Sequence, residues 1–465
     1  MNRYTRLFKN SAVFAIGNLG SKLIQIFLVP LYTYALSTGA YGQVDILTTT
    51  VSLLLPVISL SVYDAILRFV MDKAENNNEV LTNALIITCI GAVIGFCIIP
   101  VFSLFHVKYV LLTYLVLIAQ AFQSLFQQYA RAIDKVKIFA ATGIIGTVVV
   151  ASTNVVFLLG LHLGVTGYML SMLLAAIISA VFVFVTTRLY RHIDFRLTNK
   201  AIIKRLLIFS IPLIPNSLAW WVTTASSRYF VLFFVGITAN GLLAVANKIP
   251  TLLTALNTIF FQAWQMSAIE EYNSKDKSNF FNSVFRNYVS FLFIGASGIL
   301  LILRPFMSIF VQRNYYVSWK FVPLLLLAVV YSSFSTFLGT NYIAAKKTAG
   351  AFTTTIVGAG LNIALNFALV PSMGLYGVGL SSVFGYLAMW LTRVKDTEKY
   401  VSIKLPLRLL LLNHVITIIQ ATLLYTALPI VVILVVEFGL FLLVVLVNRQ
   451  LIQPFIVIMQ KRFLK

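Results

Sequence analysis

Long apolar stretches separated by short polar connectors fill almost the whole sequence. About fourteen of them have roughly twenty or more residues, the length that an α-helix needs to cross about 30 Å of hydrocarbon. The pattern therefore predicts an all-α, polytopic membrane protein with spans near 10–34, 42–69, 80–104, 109–130, 138–161, 165–187, 206–235, 240–266, 283–303, 321–343, 351–370, 376–393, 408–427 and 429–448. Prolines inside spans predict kinks where helices can bend, at Pro56, Pro212, Pro215 and Pro250.

The basic residues indicate how the chain is oriented in the membrane. With the N-terminus in the cytoplasm, 28 of the 35 Lys and Arg residues fall in cytoplasmic termini, loops and helix ends, four in outer loops and three within spans. Cytoplasmic loops carry such an excess, so both termini are predicted to be cytoplasmic. The net charge of +22 is then a topology signal, and it does not indicate a nucleic-acid partner.

Weak internal similarity indicates that the chain repeats itself. At an offset of 212 residues, Ala132, Lys135, Gly146 and Asn154 match Ala344, Lys347, Gly358 and Asn366. STGAYG (37–42) aligns with GITANG (236–241) at an offset of 199, and Asn18 parallels Asn216 at 198. Parallel repeats with substrate between two lobes are a transporter design, although chance similarity among apolar helices is an alternative.

The repeat predicts two pseudo-symmetric six-helix lobes followed by two extra helices. The predicted division is an N-terminal lobe at 1–190, a basic cytoplasmic connector at 191–205, a C-terminal lobe at 206–393, and two helices with a basic tail at 394–465.

Three cations lie inside predicted spans: Lys22, Arg228 and Lys248. A charge near the bilayer centre costs about 2.5–3.5 kcal/mol on insertion scales, so such residues normally face a bundle interior or an aqueous cavity. Polar residues share a helical stripe with them, including Asn18 and Gln25 in the first span and Trp221 and Thr224 in the seventh. We expect a cationic cavity that takes an anion; for Lys22 and Lys248, snorkelling to an interface is the alternative.

Three acidic residues lie within spans and have two interpretations each. Asp64 and Arg68 stand four residues apart, which suits either a helix-stabilising ion pair or a cytoplasmic gate or ion site. Asp45, at the predicted outer end of the same span, is either an interfacial carboxylate or a gate residue. Glu437 is central in the last span and either packs in protonated form or pairs with a neighbour.

Signatures of enzymes and metal sites are absent from the sequence. The four His residues lie in four separate elements without metal-ligand spacing, and neither a nucleophile elbow, a Walker A motif nor a zinc-protease motif occurs. The prediction is a transporter without a metal or organic cofactor.

The opening NSAVFAIGNLGSKLIQIFLVPLYTYALSTGAYGQVDIL resembles bacterial oligosaccharide flippases of the polysaccharide-transporter family. So does the pattern of a basic loop, an intramembrane Asn and then GVTG or GLYG in the fifth and eleventh spans. These flippases belong to the multidrug/oligosaccharidyl-lipid/polysaccharide exporter superfamily, with lipid II flippases and MATE drug exporters. The resemblance implies a MATE-like fold and a Wzx-type activity, which moves undecaprenyl-diphosphate-linked oligosaccharides to the outer leaflet of the bacterial cytoplasmic membrane.

The resemblance also implies roles for particular residues. The diphosphate would bind Lys22, Arg228 and Lys248, sugar hydroxyls would bind Asn18, Gln25, Asn216 and Thr224, and sugar faces would stack on Trp220 and Trp221. The last two helices would bound a groove for the lipid tail, and a polysaccharide polymerase and chain-length machinery would be partners. The sequence does not choose between H⁺ and Na⁺ as coupling ion. A MATE-like multidrug exporter and a membrane-embedded polysaccharide polymerase or transferase remain alternatives.

Overall fold

The described part of the chain consists of helices joined by short connections, without a β-strand. A computed structural model describes residues 24, 27–71, 76–104, 108–272, 274–345 and 349–451. In the first half the helices are α1 Val29–Ala35, α2 Thr38–Ile58, α3 Val62–Val70, α4 Asn77–Leu104, α5 Val110–Ala132, α6 Val136–Asn154, α7 Gly164–Thr186, α8 Lys200–Ser210, α9 Leu213–Ala225 and α10 Ser227–Phe234. The later helices are α11 Ile237–Lys248, α12 Pro250–Glu271, α13 Lys277–Phe310, α14 Val322–Ala344, α15 Ala349–Met373, α16 Leu375–Thr397, α17 Leu407–Leu423 and α18 Ile430–Val447.

Eleven helical segments in the described residues are long and apolar enough to cross a membrane, and they match eleven of the predicted spans. One of these segments, Lys200–Ala225, consists of α8 and α9 together. The thirteenth predicted span corresponds to the shorter α17. The eighth is divided between α11 and α12. The first span lies mostly outside the described residues. The chain is therefore a multi-pass membrane protein, as its apolar pattern predicts.

Three predicted spans are broken where proline or left-handed backbone interrupts the helix. The second span divides into α2 and α3 at a turn in which Leu60 and Ser61 both have φ of 50°. The seventh divides at Pro212, and the eighth divides at Pro250, the first residue of α12. Proline suits a first helical turn because its missing N–H would have no partner there. Of the four predicted kink prolines, Pro56 and Pro215 lie inside uninterrupted helices, α2 and α9.

Contacts divide the described chain into two compact units. The first runs to Leu232 and includes Gly236–Gly241; the second contains Phe233–Val235 and resumes at Leu242. Helix α9 and the second half of α8, which the repeat assigns to the second lobe, therefore pack in the first unit. Contacts and sequence repeats divide a chain by different criteria, so the contact-based units do not test the predicted lobes. The two-lobe organisation stays a prediction.

The GxxG motif of the repeat has the same local geometry in both units. Gly164 is the first residue of α7 and Gly374 immediately precedes α16, with φ of 55° and 56°, a positive φ that glycine adopts without steric cost. Three residues later, a Cβ on Gly167 would lie 3.2 Å from the Phe157 carbonyl oxygen, and one on Gly377 would lie 2.7 Å from that of Leu369. In both units the motif starts one helix and packs it closely against the preceding one.

The basic connector is fastened to the first unit rather than being a free linker. Two short 3₁₀ turns, Leu189–Arg191 and Phe195–Leu197, lead into α8. The Asn83 side chain donates to the Leu197 carbonyl at 3.0 Å and accepts from the Asn199 N–H at 2.9 Å. The Asn199 amide in turn donates to Glu79 at 2.8 Å. The connector is thus held against α4.

Candidate functional site

Part of the predicted site cannot be placed. Asn18, Lys22 and Gln25 lie outside the described residues, as does the side chain of Asn216. Their predicted roles stay predictions.

An ion pair joins two of the predicted site residues. Arg228 Nε donates to Asp45 Oδ2 at 2.8 Å, and the two side chains are 20% and 16% exposed. They come from α10 and α2 of the first unit. Sequence reasoning placed Asp45 at the predicted outer end of the second span and Arg228 inside the seventh, without pairing them. The carboxylate offsets the cost of keeping the guanidinium inside a span.

The guanidinium of Arg228 retains most of its hydrogen-bonding capacity. Apart from the bond to Asp45, it makes one long contact, from Nη1 to the Thr224 carbonyl at 3.4 Å. Within the described residues Nη2 has no hydrogen-bond partner. A guanidinium presents parallel N–H groups that match carboxylate or phosphate oxygens in a bidentate manner. Arg228 is therefore oriented by Asp45 through one nitrogen, and its terminal fork stays open.

Aromatic and hydroxyl groups extend this contact along α2. Trp221 Nε1 lies 3.1 Å from both the Thr49 carbonyl and Ser52 Oγ. The Tyr229 hydroxyl hydrogen-bonds Thr50 at 2.7 Å, and the rings of Trp221 and Tyr229 are 5.5 Å apart. Sequence reasoning missed these α2 residues. The signal was present, because Asp45, Thr49 and Ser52 follow i, i+4, i+7 spacing on one helical face.

The remaining predicted residues of the seventh span contact α2 less. Thr224 is exposed, and its hydroxyl bonds the Trp220 carbonyl of its own helix at 2.9 Å. Trp220 is 44% exposed and shares none of the α2 contacts of Trp221. The structure thus brings Asp45, Trp221 and Arg228 together and leaves Trp220 apart.

The two aligned repeat segments meet directly in the first unit. A Cβ on Gly42 would lie 2.0 Å from the Ile237 carbonyl oxygen, and one on Gly241 would lie 1.9 Å from that of Thr38. Thr38 aligns with Ile237 and Gly42 with Gly241, so the contact is reciprocal. We call this meeting of Thr38–Gly42 with Ile237–Gly241 the glycine contact. It ties the start of α2 to the start of α11.

Asp64 and Arg68 lie near the other end of the second predicted span, on α3. Asp64 is half-buried and Arg68 exposed. The described residues show no ion pair between their two side chains. Their predicted role as a gate or ion site stays a prediction.

Lys248 is the last residue of α11 and is half-buried beside the Pro250 break. It belongs to the second compact unit, whereas Arg228 belongs to the first. The convergence of Lys22, Arg228 and Lys248 in one cavity therefore stays a prediction.

The first unit also contains a small cavity with a partly polar lining, which sequence reasoning missed. Its volume is about 220 Å³, and Gln120, Gln123, Thr142 and Thr147 contribute amide and hydroxyl groups to its lining. Gly146, one of the repeat residues, also borders it. Gln120 and Gln123 stand three residues apart on α5, which was a usable sequence signal for a polar face.

A buried arginine in the second unit was also missed. Arg393 is 3% exposed at the end of α16, and its guanidinium bonds Thr354 Oγ1, Thr355 Oγ1 and the Ser335 carbonyl at 2.8–3.0 Å. These neutral acceptors belong to α14 and α15. Arg393 therefore joins three helices, a structural role that its position at a span end did not reveal.

Glu437 pairs with a neighbour, which was one of its two predicted states. Gln420 Nε2 donates to Glu437 Oε2 at 2.9 Å, and Ser297 Oγ donates to Gln420 Oε1 at 2.7 Å. This chain of polar groups fastens α17 and α18 to α13. The described residues contain no group of three His, Cys, Asp or Glu that could hold a metal ion.

Sequence comparison connects the chain with a polysaccharide biosynthesis family. The family described as "Polysaccharide biosynthesis protein" matches residues 7–265, more than half of the chain. The "Lsg locus putative protein 1" of Haemophilus influenzae is 34% identical over 91 residues, which are 19% of this chain and 23% of that protein. The chain thus spans about a quarter of the length of the curated relative it matches.

Solved structures of transporters share the fold. A lipid II flippase MurJ in an inward closed conformation aligns over 98% of this chain and 100% of its own, with a TM-score of 0.69 and 13% identity. A MATE transporter in a straight conformation aligns over 85% of this chain and 96% of its own, with a TM-score of 0.59 and 15% identity. A MOP superfamily transporter from Pyrococcus furiosus, described as having a binding pocket of reverse polarity, aligns over 86% of this chain and 98% of its own, with a TM-score of 0.62 and 14% identity. The predicted MATE-like fold is confirmed, and the solved structures that share it are transporters and a flippase.

Proposed function

Because this chain belongs to the polysaccharide biosynthesis protein family, we propose that it moves undecaprenyl-diphosphate-linked oligosaccharide repeat units across the bacterial cytoplasmic membrane. The direction is from the inner to the outer leaflet, with both termini in the cytoplasm. The mechanism is alternating access around a cationic cavity. Family membership and the flippase-like fold support this proposal.

The observation that carries the proposal is the open fork of Arg228. A diphosphate offers paired anionic oxygens, and Arg228 offers N–H groups held inside a span by a single bond to Asp45. An apolar or cationic cargo would gain nothing from this group. The arginine also lies within the part of the chain that matches the family.

The saccharide and the lipid need different surfaces from the diphosphate. The cavity lined by Gln120 and Gln123 offers amides that suit sugar hydroxyls, and Asn18, Gln25, Asn216 and Thr224 would add to this recognition. Trp220, which is exposed, would stack on a sugar face, and so would the ring of Trp221. Lys22 and Lys248 would share the diphosphate charge.

The lipid tail, the driving ion and the protein partners complete the proposal. The tail would lie along the apolar helices α17 and α18. Uptake of H⁺ or Na⁺ would drive the cycle, with Asp64 and Arg68 as the ion site or cytoplasmic gate. A polysaccharide polymerase and chain-length machinery would receive the product.

The test is complementation of a strain that lacks this gene, with lipid-linked repeat units measured in each leaflet. Arg228→Gln removes the charge and the fork, and loss of a charge-assisted contact of about 1.5–3 kcal/mol predicts a roughly 10- to 100-fold lower rate. Arg228→Lys keeps the charge without the fork, so its rate should be intermediate. Arg313→Gln, at an exposed arginine, is the matched control and should transport normally.

Accumulation of repeat units in the inner leaflet, with loss of surface glycan, supports the proposal. Full transport by Arg228→Gln would contradict the role of Arg228. Normal surface glycan with changed drug sensitivity in the deletion strain would instead favour a multidrug exporter. Glycan assembly by the purified protein would favour a polymerase or transferase.

A further inference from the structure

The glycine contact and the Asp45–Arg228 pair connect the same two parts of the first unit. The glycine contact joins the start of α2 to the start of α11, at the predicted outer end of both spans. Asp45 lies three residues after Gly42, and Arg228 lies on α10, whose main chain is bonded to α11 because Asn240 Nδ2 donates to the Arg228 carbonyl at 3.0 Å. Separation of α2 from α10 and α11 would therefore break both contacts together.

The glycine contact is specific to one arrangement of these helices. Any Cβ at Gly42 or Gly241 would overlap the opposite main chain, so the backbones touch at the closest approach that Cα–H···O contacts permit. Such a contact has little hydrophobic area to stabilise it, and no side chain can extend across it once the helices part. The closed arrangement therefore depends on neighbouring bonds. These are the ion pair, the Trp221 bonds to Thr49 and Ser52, and the Tyr229–Thr50 bond.

We propose that the Asp45–Arg228 pair is a latch that holds the predicted outer end closed, and that an anionic diphosphate bound at the Arg228 fork releases it. This proposal rests on the proposed function, because it takes the substrate's diphosphate as the releasing ligand. A phosphate oxygen at Nη1 and Nη2 neutralises Arg228 and brings a second negative group close to Asp45. Both effects weaken the attraction that joins α2 to α10.

Disulfide formation across the glycine contact measures this closure. A Cβ on Gly39 would lie 3.8 Å from Thr238 Oγ1, which suits a cysteine pair at these positions. Cys89 and Cys97, both exposed, are first replaced by Ala to remove competing thiols. A protease site in the exposed segment around Arg196 then reports the bond, since only cross-linked halves stay together on a non-reducing gel.

Three perturbations of the full-length protein in membranes should agree. Asp45→Asn should slow cross-linking about three- to tenfold, as expected for a partly buried charge pair. Inorganic diphosphate should slow cross-linking by a similar factor in the protein with Asp45, and should slow it little further in Asp45→Asn. Exchange of the two charges, Asp45→Arg with Arg228→Asp, should restore the rate without diphosphate. Glu79→Gln, on α4, is the matched carboxylate control and should not change it.

Cross-linking of Asp45→Asn at the unmodified rate would overturn the latch. If Asp45→Asn slows cross-linking but diphosphate does not change the cross-linking rate of the protein with Asp45, release by the anion is overturned. The charge exchange guards against a trivial result, because a misfolded Asp45→Asn protein would not explain recovery on restoring the opposite charges. Leaflet assays test the proposed function separately, so a working flippase without a latch is distinguished from a latch in a protein that carries another cargo.

Discussion

A close approach between α15 and α16 gives a quantitative prediction about packing in the second unit. A Cβ on Gly358 would lie 2.7 Å from Met389 Cβ and 2.9 Å from the Gly385 carbonyl oxygen. Carbon atoms pack at about 3.5–4.0 Å, so Gly358→Ala creates an overlap of roughly 1 Å. Because a main-chain oxygen and a Cβ cannot rotate away, the helices must move apart.

The magnitude follows from a comparison with a glycine two residues further along the same helix. Gly360 is exposed, and no atom lies within 4 Å of a Cβ built there. Both Ala variants gain about 0.5–1 kcal/mol from the lower flexibility of alanine in the unfolded chain. Only Gly358→Ala suffers overpacking, which costs about 1–3 kcal/mol. The difference in unfolding free energy between the two variants should therefore be about 1–3 kcal/mol.

The measurement is equilibrium unfolding in mixed micelles, with denaturing detergent as titrant and helix content and tryptophan fluorescence as signals. Met389→Ala in the Gly358→Ala background removes the overlap with Met389 Cε but not that with Cβ or the Gly385 oxygen, so rescue should be partial. Equal stability of Gly358→Ala and Gly360→Ala would refute the close packing of these helices.

Three further predictions concern other contacts. Gly42→Ala should abolish leaflet transport because the glycine contact cannot close. Gly39→Ala should transport normally, because no atom lies closer than 3.8 Å to a Cβ built there. Normal transport by both variants would contradict the contact. Glu437→Gln keeps an acceptor for Gln420 and should unfold like the unmodified protein. Glu437→Leu leaves the buried Gln420 amide unpaired, so its free energy of unfolding in detergent titration should fall by about 1–3 kcal/mol. Equal stability of the two variants would argue against the Gln420 bond. Arg393→Met should have a higher melting temperature than Arg393→Lys, because an apolar side chain leaves no poorly bonded buried charge. The reverse order of melting temperatures would disprove this reasoning.

Which polar groups are partners was beyond the reach of the sequence. Asp45 and Arg228 are 183 residues apart in the chain, and helical periodicity assigned each to a face of its own helix without showing that the faces meet. Gln420 passed unnoticed for the same reason, although Glu437 stood out in its span. Helix breaks were anticipated in part: Pro212 and Pro250 mark real ones, whereas Pro56 and Pro215 lie within helices. The second span breaks at the Ser59–Ser61 turn, shortly after Pro56.

The sequence by itself determined the membrane-spanning character, the positions of most spans, the repeat and the family resemblance. These depend on local properties, namely twenty-residue apolar length, loop charge and glycine spacing, which the chain displays without folding. The tertiary structure alone decided that Arg228 is held by Asp45 with its fork open, and that Gly42 touches the aligned segment Ile237–Gly241. Such contacts depend on how each helix is rotated and how closely two helices approach. Both are set by the summed packing of many side chains, and no short stretch of sequence encodes them.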